Sequence, residues 1–192
     1  MSGIKRLAVY CGSAAGNDPR YAKAARAMAA AMLERDIDLV YGGGRLGLMG
    51  IIADAMLAGG GKVYGVIPAA LVELEVAHPN LTELHTVGTM HERKAMMTEL
   101  TDAIVALPGG IGTLDELFEA WTWNALGYHS KPFALLNVGG FWDGLDAFMD
   151  TVSEAGFLSH ARRAQLLVGV SPEDVIKQLD DAAAEAAQGM VW

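Results

Sequence analysis

A glycine-rich turn between an apolar run and a helical pattern carries the strongest chemical signal in the sequence. The segment Leu107–Thr113 reads LPGGIGT. Glycines there let a phosphate approach the backbone, and the free N–H groups and positive dipole end of the following helix favour an anion. Glu116 lies one turn past the predicted phosphate, which makes it a candidate catalytic carboxylate. The alternatives are a tight turn without a ligand and a glutamate that only faces the helix dipole.

A second glycine-rich segment, Gly42–Gly50, reads GGGRLGLMG and formally contains the pattern GxGxxG. The dinucleotide fingerprint also needs an acidic residue about 20 positions later, at the end of the next strand. That strand ends in Val66-Ile67-Pro68, which argues against NAD. The segment therefore predicts a turn that a mononucleotide approaches at Gly43 and Gly44. A Walker A loop is also excluded, because Val63 follows Gly59-Gly60-Gly61-Lys62 and supplies no hydroxyl for magnesium.

The third segment joins a helix start to two cations. Thr89 and Glu92 have the spacing of a capping box, and Arg93 and Lys94 follow in the first turns. A cation near a helix N-terminus typically costs a few tenths to about 1 kcal/mol, so an anion is expected nearby. Met90 shares the face of the two cations on a helical wheel. The alternative is a solvated basic patch.

Metal chemistry finds no support in the sequence. The histidines His78, His85, His91, His129 and His160 have no close metal-ligand spacing, and the lone Cys11 cannot supply a cysteine cluster. We therefore predict structural or exposed histidines, no metal and no cofactor. Ser13 follows the first strand outside any nucleophile elbow, and we expect it to donate a hydrogen bond to a ligand.

Short apolar runs alternate with helical patterns along the chain. This rhythm predicts one domain over residues 1–192, an α/β, Rossmann-like three-layer fold whose mainly parallel sheet is flanked by helices. Its ligand crevice is expected at the carboxyl ends of the strands. The predicted strands are Ile4–Tyr10, Asp38–Tyr41, Lys62–Ile67, Leu81–Val87, Ala103–Leu107, Phe133–Asn137 and Leu166–Val168.

Two helices have distinctive patterns. The helix after Thr113 is predicted to pack on the sheet through Leu114, Leu117, Phe118, Trp121 and Ala125, with Glu116 and Glu119 pointing roughly the opposite way. The last helix is predicted to begin at Ser171-Pro172, a capping residue followed by proline, and to end in the alanine-rich run Ala182–Ala187.

Composition narrows the functional classes. Of 192 residues, 52% are hydrophobic and 19% charged, which suits a globular protein with a large buried sheet. The net charge of −9 argues against a nucleic acid polymer as partner, because phosphate contacts need a broad basic surface. One cysteine and no apolar run of membrane-spanning length predict a soluble, cytoplasmic protein without a membrane partner.

The three segments together resemble the LOG family, the cytokinin riboside 5′-monophosphate phosphoribohydrolases once mislabelled lysine decarboxylases. The resemblance rests on Gly42–Gly50, on Met90 with Arg93-Lys94, and on the PGGIGTLDE segment Pro108–Glu116. It extends through the CGS, LGYH and GFWD segments and covers nearly the whole chain. Asp115 departs from the family, which often has a second glutamate there.

The resemblance implies a set of site residues. Arg93 and Glu116 are implied to be the catalytic pair, and Gly109, Gly112 and Thr113 to hold the phosphate. The rest of the predicted substrate-binding set is Ser13, Gly43, Gly44, Met90, Lys94 and Gly110. A homodimer with the site near the subunit contact is also implied, and Trp121, Trp123 and Trp142 suit such a contact.

The leading hypothesis is hydrolysis of the N-glycosidic bond of a purine riboside 5′-monophosphate, with adenosine monophosphate as a further substrate. Glu116 then stabilises the oxocarbenium-like charge on the ribose, and Arg93 neutralises the phosphate or the departing base. Plain adenine and isoprenoid-substituted adenine both fit these residues. A non-catalytic nucleotide or cofactor carrier is the alternative. A decarboxylase would need a lysine that forms a Schiff base with pyridoxal phosphate.

Overall fold

Seven parallel strands form one sheet in a computed structural model of the chain, which describes residues 3–72 and 76–189. The order β4-β3-β2-β1-β5-β6-β7 reverses its direction at β1, so β1 and β5 are neighbours across a topological switch point. All seven predicted strands are confirmed, with ends that shift by at most two residues. The strands are β1 (Arg6–Tyr10), β2 (Asp38–Tyr41), β3 (Val63–Pro68), β4 (Glu83–Val87), β5 (Ala103–Ala106), β6 (Phe133–Leu136) and β7 (Leu166–Gly169).

Helices cover both faces of the sheet, which confirms the predicted three-layer fold. Side chains of α1, α2 and α7 pack into the core on one face, and side chains of α3, α4 and α5 pack into the core on the other. The helices are α1 (Pro19–Leu33), α2 (Gly47–Ala58), α3 (Met90–Leu100), α4 (Ile111–Ala125), α5 (Asp143–Glu154), α6 (His160–Arg163) and α7 (Pro172–Gly189). The central strands are thereby shielded from water on both sides, as parallel sheets require, whereas the edge strand β4 is mostly exposed.

The predicted helix starts are confirmed by their caps. The Thr89 hydroxyl accepts a hydrogen bond from the backbone N–H of Glu92 at 3.1 Å. The Glu92 carboxylate in turn accepts one from the N–H of Gly88 at 2.7 Å. At the start of α7 the Ser171 hydroxyl accepts from the N–H of Asp174 at 3.2 Å. The Thr89 and Ser171 hydroxyls each satisfy a backbone donor that the helix itself leaves open.

Trp121, Trp123 and Trp142 do not form one contact surface, and this part of the prediction is wrong. Trp121 and Trp142 are buried in the core of the protomer, at 4% and 3% exposure. Trp121 packs against Phe133, as its place on the sheet-facing side of α4 requires. Trp123 alone is half-buried, and its ring meets the edge of the His91 ring at 5.7 Å.

Within residues 3–72 and 76–189, helices that combine the length and the apolar character needed to cross a membrane are absent. The same stretches hold no group of three or more His, Cys, Asp or Glu side chains arranged to bind a metal ion. Cys11 is buried and forms no disulfide.

Candidate active site

The turns that follow β1, β2 and β5 meet at the switch point of the sheet. The N–H of Gly12, after β1, donates to the carbonyl of Pro108, after β5, at 3.1 Å. The carbonyl of Gly12 accepts from the N–H of Leu48, after β2, at 3.0 Å. Segments far apart in the sequence are therefore fixed to one another at the carboxyl edge, where ligands of such folds bind.

The start of α4 provides a bare helix N-terminus. Gly110 occupies the capping position, and none of the described side chains caps this end. A Cβ atom at Gly110 or Gly112 would meet nothing within 4 Å, so the space beside the first turn is open. The first N–H groups and the dipole end point into this space, an arrangement that binds anions.

Gly109 has a different reason to be glycine. Its backbone passes so close to Thr113 that a Cβ atom would lie 2.0 Å from the Thr113 hydroxyl oxygen. The Thr113 side chain is buried, at 3% exposure, and is held beneath the turn. The close contact fixes the path of the predicted phosphate turn against the first turn of α4.

A cavity of about 210 Å³ opens beside this turn. Its walls include Ser13, Gly109 and Gly110, three of the predicted substrate-binding residues. Tyr21 and Phe141 close another side, with their rings edge to face at 5.6 Å. A larger groove of about 680 Å³ lies elsewhere, lined by Gly3, Arg35 and residues of α7, and contains none of the predicted site residues.

Arg93 of α3 extends into the site and contacts the turn after β2. Its guanidinium is buried, at 3% exposure, and its Nη2 donates to the carbonyl of Gly42 at 2.9 Å. The Met90 sulfur lies 3.8 Å from Nη1. A Cβ atom at Gly42 would come within 2.0 Å of Nη2, so only glycine leaves room for the arginine. The alternative of a solvated basic patch is therefore wrong for Arg93.

Lys94 points instead towards helix α4. Its Nζ lies 3.0 Å from Asp115 Oδ2 and 2.7 Å from Glu119 Oε2, and its side chain is only 14% exposed. Burial opposes the charge, but the hydrogen bonds to Glu119 and Asp115 outweigh it and raise the pKa of Lys94. Two carboxylates thus balance this ammonium, and its contact with a phosphate stays a prediction.

Glu116 is half-buried in the first turns of α4, close to the end of β1. Burial, followed by the negative charge of Glu116, raises the pKa of both the Tyr10 phenol and the Cys11 thiol. The helical wheel predicted that Glu116 points away from the side of α4 that packs on the sheet. The carboxylate is nevertheless shielded, because this part of α4 lies against α3 and over the carboxyl end of β1.

A short segment that the sequence did not predict as part of the site covers the turn after β2. The N–H of His78 donates to the carbonyl of Gly43 at 2.9 Å, and the N–H of Arg45 donates to the carbonyl of Val76 at 3.0 Å. Val76 has φ of 48°, a strained value for a β-branched residue. His78 is buried and its Nε2 lies 3.0 Å from Asp54 Oδ1, which confirms the prediction of a structural histidine. No residue pattern pairs this segment with the glycines.

A doubly wound parallel sheet with a bare helix N-terminus at its switch point defines an α/β protein of the Rossmann-like class. Sequence comparison narrows the class. The chain belongs to the LOG family, whose sequence model is described as "possible lysine decarboxylase" and matches residues 49–179.

Two plant relatives carry more specific names. Cytokinin riboside 5′-monophosphate phosphoribohydrolase LOG1 of Arabidopsis thaliana is 46% identical over 94% of this chain and 84% of the relative. Cytokinin riboside 5′-monophosphate phosphoribohydrolase LOG of Oryza sativa subsp. japonica is 44% identical over 100% of this chain and 79% of the relative. The resemblance found in the sequence is thereby confirmed.

Solved structures share the fold at low identity. The molybdenum cofactor carrier protein of Chlamydomonas reinhardtii superposes with a TM-score of 0.68 and covers 93% of this chain and 98% of its own. The two sequences are 18% identical. At that identity the likeness shows the architecture alone, because one fold hosts many functions.

Proposed function

We propose that the chain hydrolyses the N-glycosidic bond of a cytokinin riboside 5′-monophosphate, releasing the free base and ribose 5-phosphate. The observation that carries the proposal is the placement of Arg93 and Glu116 in a chain 46% identical to a protein named for that reaction. One residue is buried beneath the turn after β2, and the other follows the bare N-terminus of α4.

The chemistry divides between the two ends of the nucleotide. The phosphate binds to the N–H groups of Gly109–Thr113, and Ser13 donates a further hydrogen bond. As the bond from C1′ to the base nitrogen breaks, its electron pair leaves with the base and positive charge develops on the ribose. Glu116 stabilises this charge, and Arg93 neutralises the phosphate or the departing base. Water supplies the oxygen that bonds to C1′, and its proton balances the charge of the base.

The phosphate is expected to decide which molecules are substrates. Adenosine monophosphate and its isopentenyl derivative should release free base, whereas the matching nucleosides should react at least about a hundredfold more slowly in kcat/KM. Charge-assisted hydrogen bonds to the phosphate are worth about 1.5–3 kcal/mol each, and the nucleosides lack them. Chromatography of the free base measures both the activity and the base preference.

Three outcomes of this assay separate the hypotheses. Equal efficiency for nucleoside and monophosphate contradicts the phosphate site at Gly109–Thr113. Tight binding of the monophosphate without release of base favours a nucleotide or cofactor carrier. Release of carbon dioxide from lysine with added pyridoxal phosphate favours a decarboxylase. The raised pKa of Lys94 argues against a decarboxylase, because a protonated amine in two ion pairs is a poor nucleophile for forming a Schiff base.

We also propose a cytoplasmic homodimer with the active site near the subunit contact. The family resemblance supports the dimer, and so does a groove of about 530 Å³ between α3 and α4, lined in part by His91, Trp123 and Tyr128. Tyr128 is 75% exposed and Leu126 is 65% exposed, so apolar surface lies open there. The lone, reduced Cys11 supports the cytoplasmic location.

Light scattering at micromolar concentration is expected to give at least twice the 20.3 kDa mass of one chain. Burial of the exposed Leu126 and Tyr128 side chains supplies the driving force. Tyr128→Glu should lower the measured mass, because a carboxylate at an apolar contact lacks a partner. A strictly monomeric mass for the unaltered chain contradicts the dimer.

A further inference from the structure

One carboxylate of helix α4 is held by two residues of helix α3. Glu119 Oε2 lies 2.7 Å from the Lys94 ammonium, and Glu119 Oε1 lies 3.5 Å from His91 Nδ1. Because His91 and Lys94 are three residues apart on a helix, they project from the same face and meet the carboxylate together. Asp115 closes the group with a contact of 3.0 Å to Lys94. We name these four residues the α3–α4 joint.

The strongest contact of the joint is also its best-shielded one. The Lys94 and Glu119 side chains are 14% and 21% exposed, whereas the Asp115 side chain is 55% exposed. Solvent and salt weaken exposed ion pairs much more than shielded ones. The Lys94–Glu119 pair therefore carries most of the interaction, and Asp115 contributes less.

The joint lies next to the catalytic pair of the proposed function. Lys94 directly follows Arg93 on α3, and Glu119 comes three residues after Glu116 on α4. Every member of the joint therefore lies within three positions of a catalytic residue on the same helix. Any slide or rotation of α3 against α4 changes the position of Arg93 relative to Glu116, and a misplacement of about 1 Å can cost about a hundredfold in rate.

We propose that Glu119 is a positioning residue: by binding Lys94 and His91 it fixes α3 to α4 and thereby sets the geometry between Arg93 and Glu116. This inference rests on the proposed function. It gives Lys94 a role through its contacts within the protein, which differs from the direct phosphate contact predicted from the sequence.

Glu119→Gln tests the proposal, because the amide keeps the size of the side chain but removes its charge. We expect kcat to fall about tenfold while KM changes by less than about twofold, since Arg93 keeps its hydrogen bond to Gly42 and every phosphate-binding residue is retained. The matched control is Asp181→Asn, which breaks the Lys177–Asp181 pair of the same 2.7 Å length. That pair is 72% and 64% exposed on α7, so kcat should not change.

A charge swap separates positioning from direct phosphate contact. Lys94→Glu and Glu119→Lys should each lower kcat, and the double variant should recover to within about threefold of the unaltered chain. Recovery is favoured because Lys at position 119 also faces Asp115 four residues earlier on the helix. If the double variant is as inactive as Lys94→Glu alone, or if Glu119→Gln keeps full kcat, the proposal is overturned.

The unaltered chain, Lys94→Glu, Glu119→Lys and the double variant also test the inference separately from the proposed function. If the unaltered chain releases no base, the hydrolase proposal fails on its own. The joint is then measured as the coupling between Lys94 and Glu119 in the free energy of unfolding by urea. Coupling supports the joint, and strictly additive effects of the two substitutions overturn it.

Discussion

Glu116→Gln is expected to lower kcat at least about a hundredfold, or roughly 2.7 kcal/mol of barrier, by analogy with the loss of other electrostatic stabilisers. The substitution nearly preserves size and removes one negative charge. That charge is proposed to stabilise the transition state more than the bound substrate. Its loss should therefore appear chiefly in kcat, with much of the nucleotide affinity retained.

The fold should tolerate this change well. Glu116 is half-buried in the first turns of α4. Burial is the largest cause of the raised pKa of Tyr10 and Cys11 and the charge of Glu116 is the second, so this charge is not needed to keep either group neutral. Burial alone opposes ionisation of both groups. We expect the melting temperature of Glu116→Gln to stay within a few degrees of the unaltered chain, on the scale of about 1 kcal/mol or less.

Glu116→Asp is the control for charge against position. It keeps the carboxylate but draws it back by one methylene group, so it should retain more activity than the amide if the charge itself is the main contribution. Three measurements on each variant separate a catalytic role of Glu116 from effects on binding and folding: kcat, the nucleotide Kd and the melting temperature. Near-normal kcat in Glu116→Gln, or a loss that only follows unfolding, returns Glu116 to the role of an ordinary helix carboxylate.

The architecture was predictable because a parallel sheet that is covered on both faces requires short apolar runs and turn residues that are visible in the local sequence. Each strand is a short apolar run such as Ala103–Ala106, all of whose residues are buried. Glycine turns and capping residues such as Thr89 and Ser171 mark where the helices begin. These signals depend on neighbours within a few positions, and they need no knowledge of the tertiary contacts.

The partners of the site side chains were not predictable in the same way. Arg93 bonds the carbonyl of Gly42, which is 51 positions away, and Lys94 bonds Asp115 at 21 positions. A helical wheel gives the direction of a side chain on its own helix, but the neighbour depends on how the helices pack. For the same reason Trp142, in an irregular turn, gave no sign that it is buried.

The segment over the turn after β2 is the clearest case of residues whose role in the site could not be predicted from the sequence. Val76 and His78 hold the turn by backbone hydrogen bonds, which any residue type can make. The strained φ of 48° at Val76 is the unusual feature of the segment. The presence of a valine in the sequence does not predict that backbone angle. Residues that position others through their backbone are thus invisible to a search for chemically active side chains.

Arg93→Ala is expected to lower kcat/KM at least about a thousandfold, equivalent to about 4 kcal/mol. Unlike the change at Glu116, this loss should divide between kcat and nucleotide affinity, because the arginine is proposed to act on a charge present in both the bound substrate and the transition state. The melting temperature should also fall. The buried guanidinium fills space against Gly42 and donates to its carbonyl, and alanine leaves that carbonyl without its donor.

Two further variants isolate the catalytic part of the loss at Arg93. Arg93→Lys keeps the positive charge but has one ammonium in place of a planar fork, so a single group cannot serve both the Gly42 carbonyl and the substrate. It should recover affinity more than kcat. Arg163→Ala removes a second shielded arginine, paired with Asp146 and Asp150 on helix α5, away from the site turns. It should lower the melting temperature and leave kcat unchanged. If Arg93→Ala behaves like Arg163→Ala, the role of Arg93 is to support the turn after β2, and the positive charge at the reacting nucleotide must come from another residue.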